Sequence, residues 1–190
     1  MKLTTVPEYL KAIKTGPISQ PDGVTCQSTC IAAVIGGETS IGHIREALFQ
    51  LGNPGSPEIM AQYLAAHFGD RYSLNLTASI DDMRSWINSG EVLITHGWFT
   101  GPGHVICLDG ADSKGFRVMD PWEEFHGFEW QYLSDVDAFQ GTYSDELIYA
   151  ACIAGESRHD AHRIYLEDRP IDRSKGGAWV HRIAPGVASC

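Results

Sequence analysis

At Gly90 the hydrophobic pattern of this chain changes period, and that change constrains the fold class more than any other feature. Before it, apolar residues recur three and four apart, the spacing of one helix face. Ile41, Ile44, Leu48 and Leu51 form one such stripe and end at Gly52; Ile59, Met60, Tyr63, Leu64 and His67 or Phe68 form another, closed by Gly69. Ser56-Pro57-Glu58 opens the second stripe with Ser at the N-cap and Pro at the first helical position. A weaker helical spacing covers Pro7–Lys14 and stops at Thr15-Gly16-Pro17. Tyr72–Leu76 reads as a short strand, and Ser79 with Asp82 starts a helix that runs through Trp86 and Ile87 to Gly90. Beyond Gly90, the segments Glu91–Phe99, His104–Gly110, Gly115–Met119 and Glu146–Ile153 are rich in Val, Ile, Leu and aromatic residues, as strands are. Tight turns, Thr-Gly-Pro-Gly and Ala-Asp-Ser-Lys-Gly, join the first three of these segments. Helices gathered in the first half and antiparallel strands in the second predict an α+β fold.

The length of 190 residues suits one well-cored domain. After Gly155 the composition shifts to a charged stretch, Glu156–Lys175, broken at Arg169-Pro170 and followed by one apolar piece, Ala178–Ile183. The expected organisation is a core domain over residues 1–154 and a C-terminal extension over 155–190 that packs on it, adding a strand or wrapping the surface.

A formal net charge of -10 and the lack of a basic block argue against nucleic acid as a partner. Five cysteines, at 26, 30, 107, 152 and 190, are an odd count without framework spacing, so a reducing compartment is expected and not a disulfide scaffold. The N-terminus has no apolar signal-like core, and no apolar run is long enough to span a bilayer. The expectation is a chain made in the cytoplasm, with no membrane partner.

The stretch Ile18–Ile35 carries the chemistry. Gln20 stands six residues ahead of Cys26 across a turn-forming Pro-Asp-Gly, and Cys26 opens a small, apolar helical segment that stops at Gly36-Gly37. A thiol at a helix N-terminus faces unpaired N–H groups and the positive end of the macrodipole, which favour the thiolate, the nucleophilic form. Such a nucleophile needs a base, and the base needs an orienting group. Gly103-His104 places an imidazole at the start of a strand, and alternation puts His104, Ile106 and Leu108 on one face and Val105, Cys107 and Asp109 on the other. The next strand ends in Asp120-Pro121. Antiparallel pairing lays the end of that strand beside the start of its neighbour, so Asp120 should meet His104 and accept its Nδ1–H. The Gln20 amide, beside the Cys26 backbone N–H, would stabilise a tetrahedral oxyanion.

Gln20, Cys26 at a helix start, Gly103-His104-Val105 at a strand start and Asp120-Pro121, in that order, resemble the papain-like cysteine peptidases, and more narrowly their bacteriocin-processing-peptidase-like family. The likeness covers Ile18–Pro121. It implies the papain-like fold, with N-terminal helices packed on a C-terminal antiparallel sheet. It also implies Cys26 as nucleophile, His104 as general base and then acid, Asp120 as its orienter, Gln20 in the oxyanion hole and no cofactor. Where leader-processing members often have Cys-Gly-Pro-Ala, this chain has Cys26-Gln27-Ser28-Thr29. That run is nearer the Thr-Cys-x-x-Thr/Ser variant of stand-alone and phage-encoded relatives. The substrate implied is a peptide or protein, with bacterial cell-wall cross-links as a specific option.

Competing assignments follow from the same residues. Cys30, one turn beyond Cys26, and Cys107 read as buried core thiols. His96 is a rival base or a substrate-facing residue. His159 and His162 have the spacing of a helical metal pair but lack an evident third ligand, which makes them surface residues. Cys26, Cys30, His104 and Asp120 could instead compose a zinc site, and the whole domain could be a catalytically silent binding module.

Overall fold

A computed structural model describes residues 17–36, 40–133 and 137–186. The weak helical spacing at Pro7–Lys14 lies outside them. The described chain is α+β: helices come first, and a mainly antiparallel sheet follows.

Three helices open the chain, α1 (Cys26–Ile35), α2 (Ile41–Leu51) and α3 (Pro57–Phe68). Their ends are where local chemistry puts them: Gly36, Gly52 and Gly69 each donate a backbone N–H to a carbonyl of the last turn, and all three have positive φ. Ser40 caps α2 by accepting from His43 N at 3.1 Å. Ser56 does not cap α3 in this way; its hydroxyl instead donates to Glu58 Oε2. Strand β1 (Tyr72–Ala78) leads into α4 (Ile80–Asn88), whose N-terminus is a full capping box between Ser79 and Asp82.

The strands β2 (Val92–Gly97), β3 (His104–Asp112) and β4 (Gly115–Asp120) follow, with β3 antiparallel to β2 and β4 antiparallel to β3. Two short strands, β5 (Phe125–His126) and β6 (Gln131–Tyr132), pair with each other, and β7 (Phe139–Tyr143) extends the main sheet beside β4. At the β3–β4 turn, Gly115 has φ +142, and a Cβ there would lie 2.1 Å from Tyr143 O, so only glycine lets β7 come this close.

The segment Glu146–Ile153, expected as a strand, is helical: α5 (Asp145–Ile148) runs directly into a wider turn over Tyr149–Ala154. Ser144 caps it by accepting from Leu147 N at 3.2 Å, two acidic residues sit in its first turn, and Ala150 and Ala151 favour helix. A short apolar run buried on several sides has no period of its own, so its burial mimics a strand. The wide turn leaves Ala151 O to accept from Trp98 N at 2.8 Å, which ties the helix to the end of β2. Helix α6 (Arg158–Leu166) occupies the charged stretch, and β8 (Ala178–Ile183) closes the order.

The main sheet runs β1-β8-β2-β3-β4-β7, so the strand that follows the change of composition at Gly155 lies between β1 and β2, paired with both. Apolar side chains on the two faces form separate cores. Ile31, Ile44, Leu48, Met60 and Leu64 of α1 to α3 pack on Val92, Ile94, Val105, Cys107 and Met119. Met83, Ile148 and Ala161 of α4 to α6 pack with Trp130 on Leu93, Ile106, Leu108, Phe116 and Val118. The sheet is therefore covered by helices on both faces, not only by the N-terminal ones. Each large side chain buried in these layers contributes roughly 1.5–3 kcal/mol. Among the described residues no helix is long and apolar enough to cross a membrane.

Candidate active site

The loop before α1 is organised by Asp22. Its Oδ1 accepts from Val24 N at 3.0 Å and its Oδ2 pairs with Arg45 at 3.0 Å, while its carbonyl accepts from Gln20 Nε2 at 2.6 Å and Thr25 Oγ1 at 3.3 Å. Thr25 stands at the N-cap of α1 but its side chain makes no capping bond, so no side chain covers the N–H groups that surround Cys26. Cys26 is 6% exposed.

His104 begins β3 directly after a turn that Gly103 closes at φ +89, with Thr100 Oγ1 donating to Gly103 O at 2.6 Å. Its Nε2 lies 2.8 Å from Asp120 Oδ1. The expected partnership is present, but through Nε2 and not Nδ1. The reason is the direction of the ring: Asp120 stands at the end of β4 behind the imidazole and engages Nε2, and Cys26 lies close enough to add to the pull that favours a proton on the ring. Phe99 and Tyr132 meet the ring edge-on, with centroids 6.2 and 5.6 Å away.

Asp120 is fully buried and satisfied on both oxygens. Oδ1 also accepts from Trp122 N at 3.1 Å, and Oδ2 accepts from the hydroxyls of Tyr132 at 2.9 Å and Tyr143 at 3.0 Å. The two tyrosines were not legible in the sequence, because β6 is two residues long and β7 alternates polar with apolar positions weakly. Burial, and then the Asp120 charge, push both phenols above their ordinary range.

Gln20 reaches the same place through its backbone, whose N–H donates to Pro121 O at 2.8 Å. One hydrogen of its amide is used by Asp22 O, which leaves a second on the same nitrogen, and its Oε1 is buried without a partner. Cys30 is a core thiol, fully buried, donating to Val105 O at 3.3 Å and pushed well up by burial; Cys107 lies beside it. With Cys30 turned to a carbonyl, the four-residue zinc set does not converge. Among the described residues no group of three His, Cys, Asp or Glu side chains is placed to hold a metal ion. Of the two histidines expected at the surface, His159 is exposed, while His162 is half-buried, its Nε2 2.8 Å from Phe128 O and its ring stacked on Trp130.

His96 is not hydrogen-bonded to Asp120. Its Nε2 lies 3.0 Å from His181 Nε2, and His181 Nδ1 lies 2.8 Å from the Tyr72 hydroxyl. Beside His104 opens a cleft of about 290 Å³ whose walls include Gln27, His96, Trp98, Cys152 and Trp179.

Burial opposes a charge on His104, but the Asp120 carboxylate and then Cys26 outweigh it and raise the pKa from 6.5 to about 10. Burial lowers His96 to about 4 and His181 to about 3. These shifts act on stability in opposite directions. The native state keeps a proton on His104 that the unfolded chain has lost, so this stabilisation is complete below pH 6.5 and drains away as pH rises toward 10. His96 and His181 are neutral in the native state where the unfolded chain takes up protons. Their stabilisation is complete above pH 6.5 and is lost as pH falls toward 4 and 3. The urea midpoint, followed from pH 4 to 9, is expected to peak near pH 6.5 and fall on both sides. His181→Gln should flatten the acid side alone, and an acid limb unchanged in that variant would contradict the assignment.

No protein-family model matches this chain, and no curated protein matches it either.

Proposed function

We propose that the protein is a cysteine hydrolase of the papain-like class that cleaves a peptide or amide bond. The observation that carries this reading is the Cys26, His104 and Asp120 set: a thiol on a helix start that no side chain caps, near enough to an imidazole to favour its proton, and a buried carboxylate that holds that imidazole from behind. A helix-borne cysteine packed against an antiparallel sheet that carries the other two residues agrees with the resemblance seen in the sequence. A silent binding module has no need of a buried carboxylate–imidazole pair beside such a thiol.

In the proposed reaction an imidazolium beside the thiol favours the thiolate. Cys26 Sγ attacks the substrate carbonyl, forming a carbon–sulfur bond, and the carbonyl electron pair moves to oxygen. That oxyanion takes hydrogen bonds from the Cys26 backbone N–H and from the remaining hydrogen on Gln20 Nε2. The intermediate collapses to a thioester as His104 gives its proton to the leaving amine. His104, now neutral, takes a proton from water, which attacks the thioester; the acid departs, the thiol re-forms and the cycle closes. Asp120 keeps its charge throughout and stabilises the imidazolium.

The test is a trapped acyl-enzyme. Incubation with an activated peptide ester, acid quench and peptide mapping are expected to show the acyl mass on Cys26, and no acylation anywhere in Cys26→Ala. Acylation of wild type at another residue would overturn the reading. Bacterial cell-wall peptides are one substrate option within this class, and clearing of permeabilised cells by wild type but not by Cys26→Ala would single them out. The net charge of -10 works against approach to an anionic envelope, so ordinary peptides come first.

A further inference from the structure

The cleft beside His104 has features that catalysis does not use. Its lining includes no Asp, Glu, Lys or Arg among the described residues, and two indoles, Trp98 and Trp179, form part of its walls. Trp179 is 46% exposed, a large aromatic surface presented at the opening and not packed away. Gln27, the residue after the nucleophile, lines the same space, so a chain bound for attack by Cys26 delivers one of its side chains here.

Besides Gln27 and His104, the cleft is lined by a third polar side chain, His96, which is the end of a hydrogen-bonded chain. Its Nε2 is taken by His181 Nε2 at 3.0 Å, and His181 in turn meets the Tyr72 hydroxyl through Nδ1 at 2.8 Å. The nitrogen of His96 left for the space it lines is therefore Nδ1. We propose that this cleft is the subsite for a large, uncharged substrate side chain bearing a hydrogen-bonding group, and that His96 Nδ1 reads that group under the control of His181 and Tyr72. This rests on the hydrolase reading for its connection to cleavage.

Two proton arrangements satisfy the chain. In one, the Tyr72 hydroxyl donates to His181 Nδ1, His181 Nε2–H donates to His96 Nε2, and His96 carries its proton on Nδ1 as a donor to the cleft. In the other, His96 Nε2–H donates to His181 Nε2, His181 Nδ1–H donates to the Tyr72 oxygen, and His96 Nδ1 is an acceptor. Each of these two imidazoles carries one proton in both arrangements, so neither adds a charge to the wall. The groups that act on His96 are His181, the Trp179 ring edge-on at 6.0 Å and the exposed carboxylate of Glu58, which is outside the cleft lining. The charged group in the lining, the His104 imidazolium, is already paired with Asp120, so a charged side chain in this subsite would lose its hydration without gaining a free counter-ion. An apolar side chain of the same size would leave Nδ1 unpaired.

A positional-scanning peptide library separates these cases. Wild type is expected to favour Gln, Asn or Tyr over the matched apolar Met, Leu or Phe at one position near the cleaved bond. His96→Phe should lower that preference about tenfold. His96→Asn, which keeps a donor and an acceptor near Nδ1, should retain part of it. Tyr72→Phe should lower it with the His96 ring still in place, a change that a purely structural role for Tyr72 does not produce. Iodoacetamide labelling of Cys26 should stay at the wild-type rate in all three, showing an intact catalytic set. A preference unchanged in His96→Phe, or a wild-type preference for Glu, Asp, Lys or Arg at that position, overturns the proposal. Binding of the same peptides to Cys26→Ala, by calorimetry, separates the two readings. Selective binding that His96→Phe abolishes, with no cleavage by wild type, removes the hydrolase reading and leaves His96 as proposed. Peptides neither bound nor cut at any position overturn both.

Discussion

Replacing Cys26 with Ala is expected to lower peptide hydrolysis by about 10⁴-fold or more, to the detection limit, while the thermal midpoint stays within a few degrees of wild type. The two halves of this expectation have separate causes. The thiol is the atom that forms the thioester, and no neighbour can replace it: Cys30 is pointed at Val105 O, with its thiol held up by burial, and Cys152 is likewise pushed up to about 12. The thiol contributes little to folding, because α1 is anchored by Cys30, Ile31, Ala33 and Val34, all buried, and not by its first residue. Cys26→Ser is expected to stay at least about 10³-fold below wild type, since a hydroxyl beside the same imidazolium is not a nucleophile of comparable strength. The double variant Cys26→Ala with His104→Ala should be no slower than Cys26→Ala alone, because the two act as one unit. Turnover of a fluorogenic peptide gives the rates and a thermal melt gives the midpoint. Hydrolysis that persists in Cys26→Ala at a tenth of the wild-type rate would remove the thiol from the reaction.

The parts of this site that could be read from sequence are those set by local chemistry and by one hairpin. Glycines and the cap at Ser79 place α1, α2 and α4 within a residue of their ends. The short turn between β3 and β4 alone dictates that the end of β4 comes back to the start of β3. Asp120 therefore had to lie near His104 in any fold with that hairpin. What escaped is set by distant contacts. The choice of Nε2 over Nδ1 depends on how Phe99 and Tyr132 hold the ring, and neither is a neighbour in sequence. Tyr132 and Tyr143 carry no motif; they matter because the sheet brings them to Oδ2 of Asp120. The position of β8 between β1 and β2 is a long-range pairing that a strand's own composition does not encode. Likewise His96 looked like a rival base because it is close to His104 in sequence, yet β8 supplies the His181 that engages its Nε2. Glu146–Ile153 misled for the opposite reason: it is so well buried by its neighbours that it shows neither period.

Asp120→Ala is expected to destabilise the protein by about 3–5 kcal/mol and to lower hydrolysis by at least about 10³-fold. Four donors converge on this carboxylate: His104 Nε2, Trp122 N and the hydroxyls of Tyr132 and Tyr143. With the side chain fully buried, its removal leaves these donors without their shared acceptor, Tyr143 keeping only the longer contact to Glu123 O at 3.3 Å, and it strips the counter-charge from a buried imidazolium. Asp120→Asn separates shape from charge. An amide can keep its oxygen toward His104 and Trp122 N and offer its N–H groups to the two tyrosine oxygens, so a smaller loss of about 1–3 kcal/mol is expected. The charge is gone, however, and with it the main force that raises His104 against its own burial. Two pH measurements then decide the point. The decline in urea midpoint between pH 6.5 and 9, which His104 causes in wild type, should vanish in Asp120→Asn. The alkaline limb of turnover, which in wild type lies well above neutrality because His104 holds its proton to about 10, should move down by several pH units in the same variant. If both profiles matched wild type, the imidazolium would owe its stability to something other than Asp120, and a carboxylate buried at the end of β4 would serve packing alone.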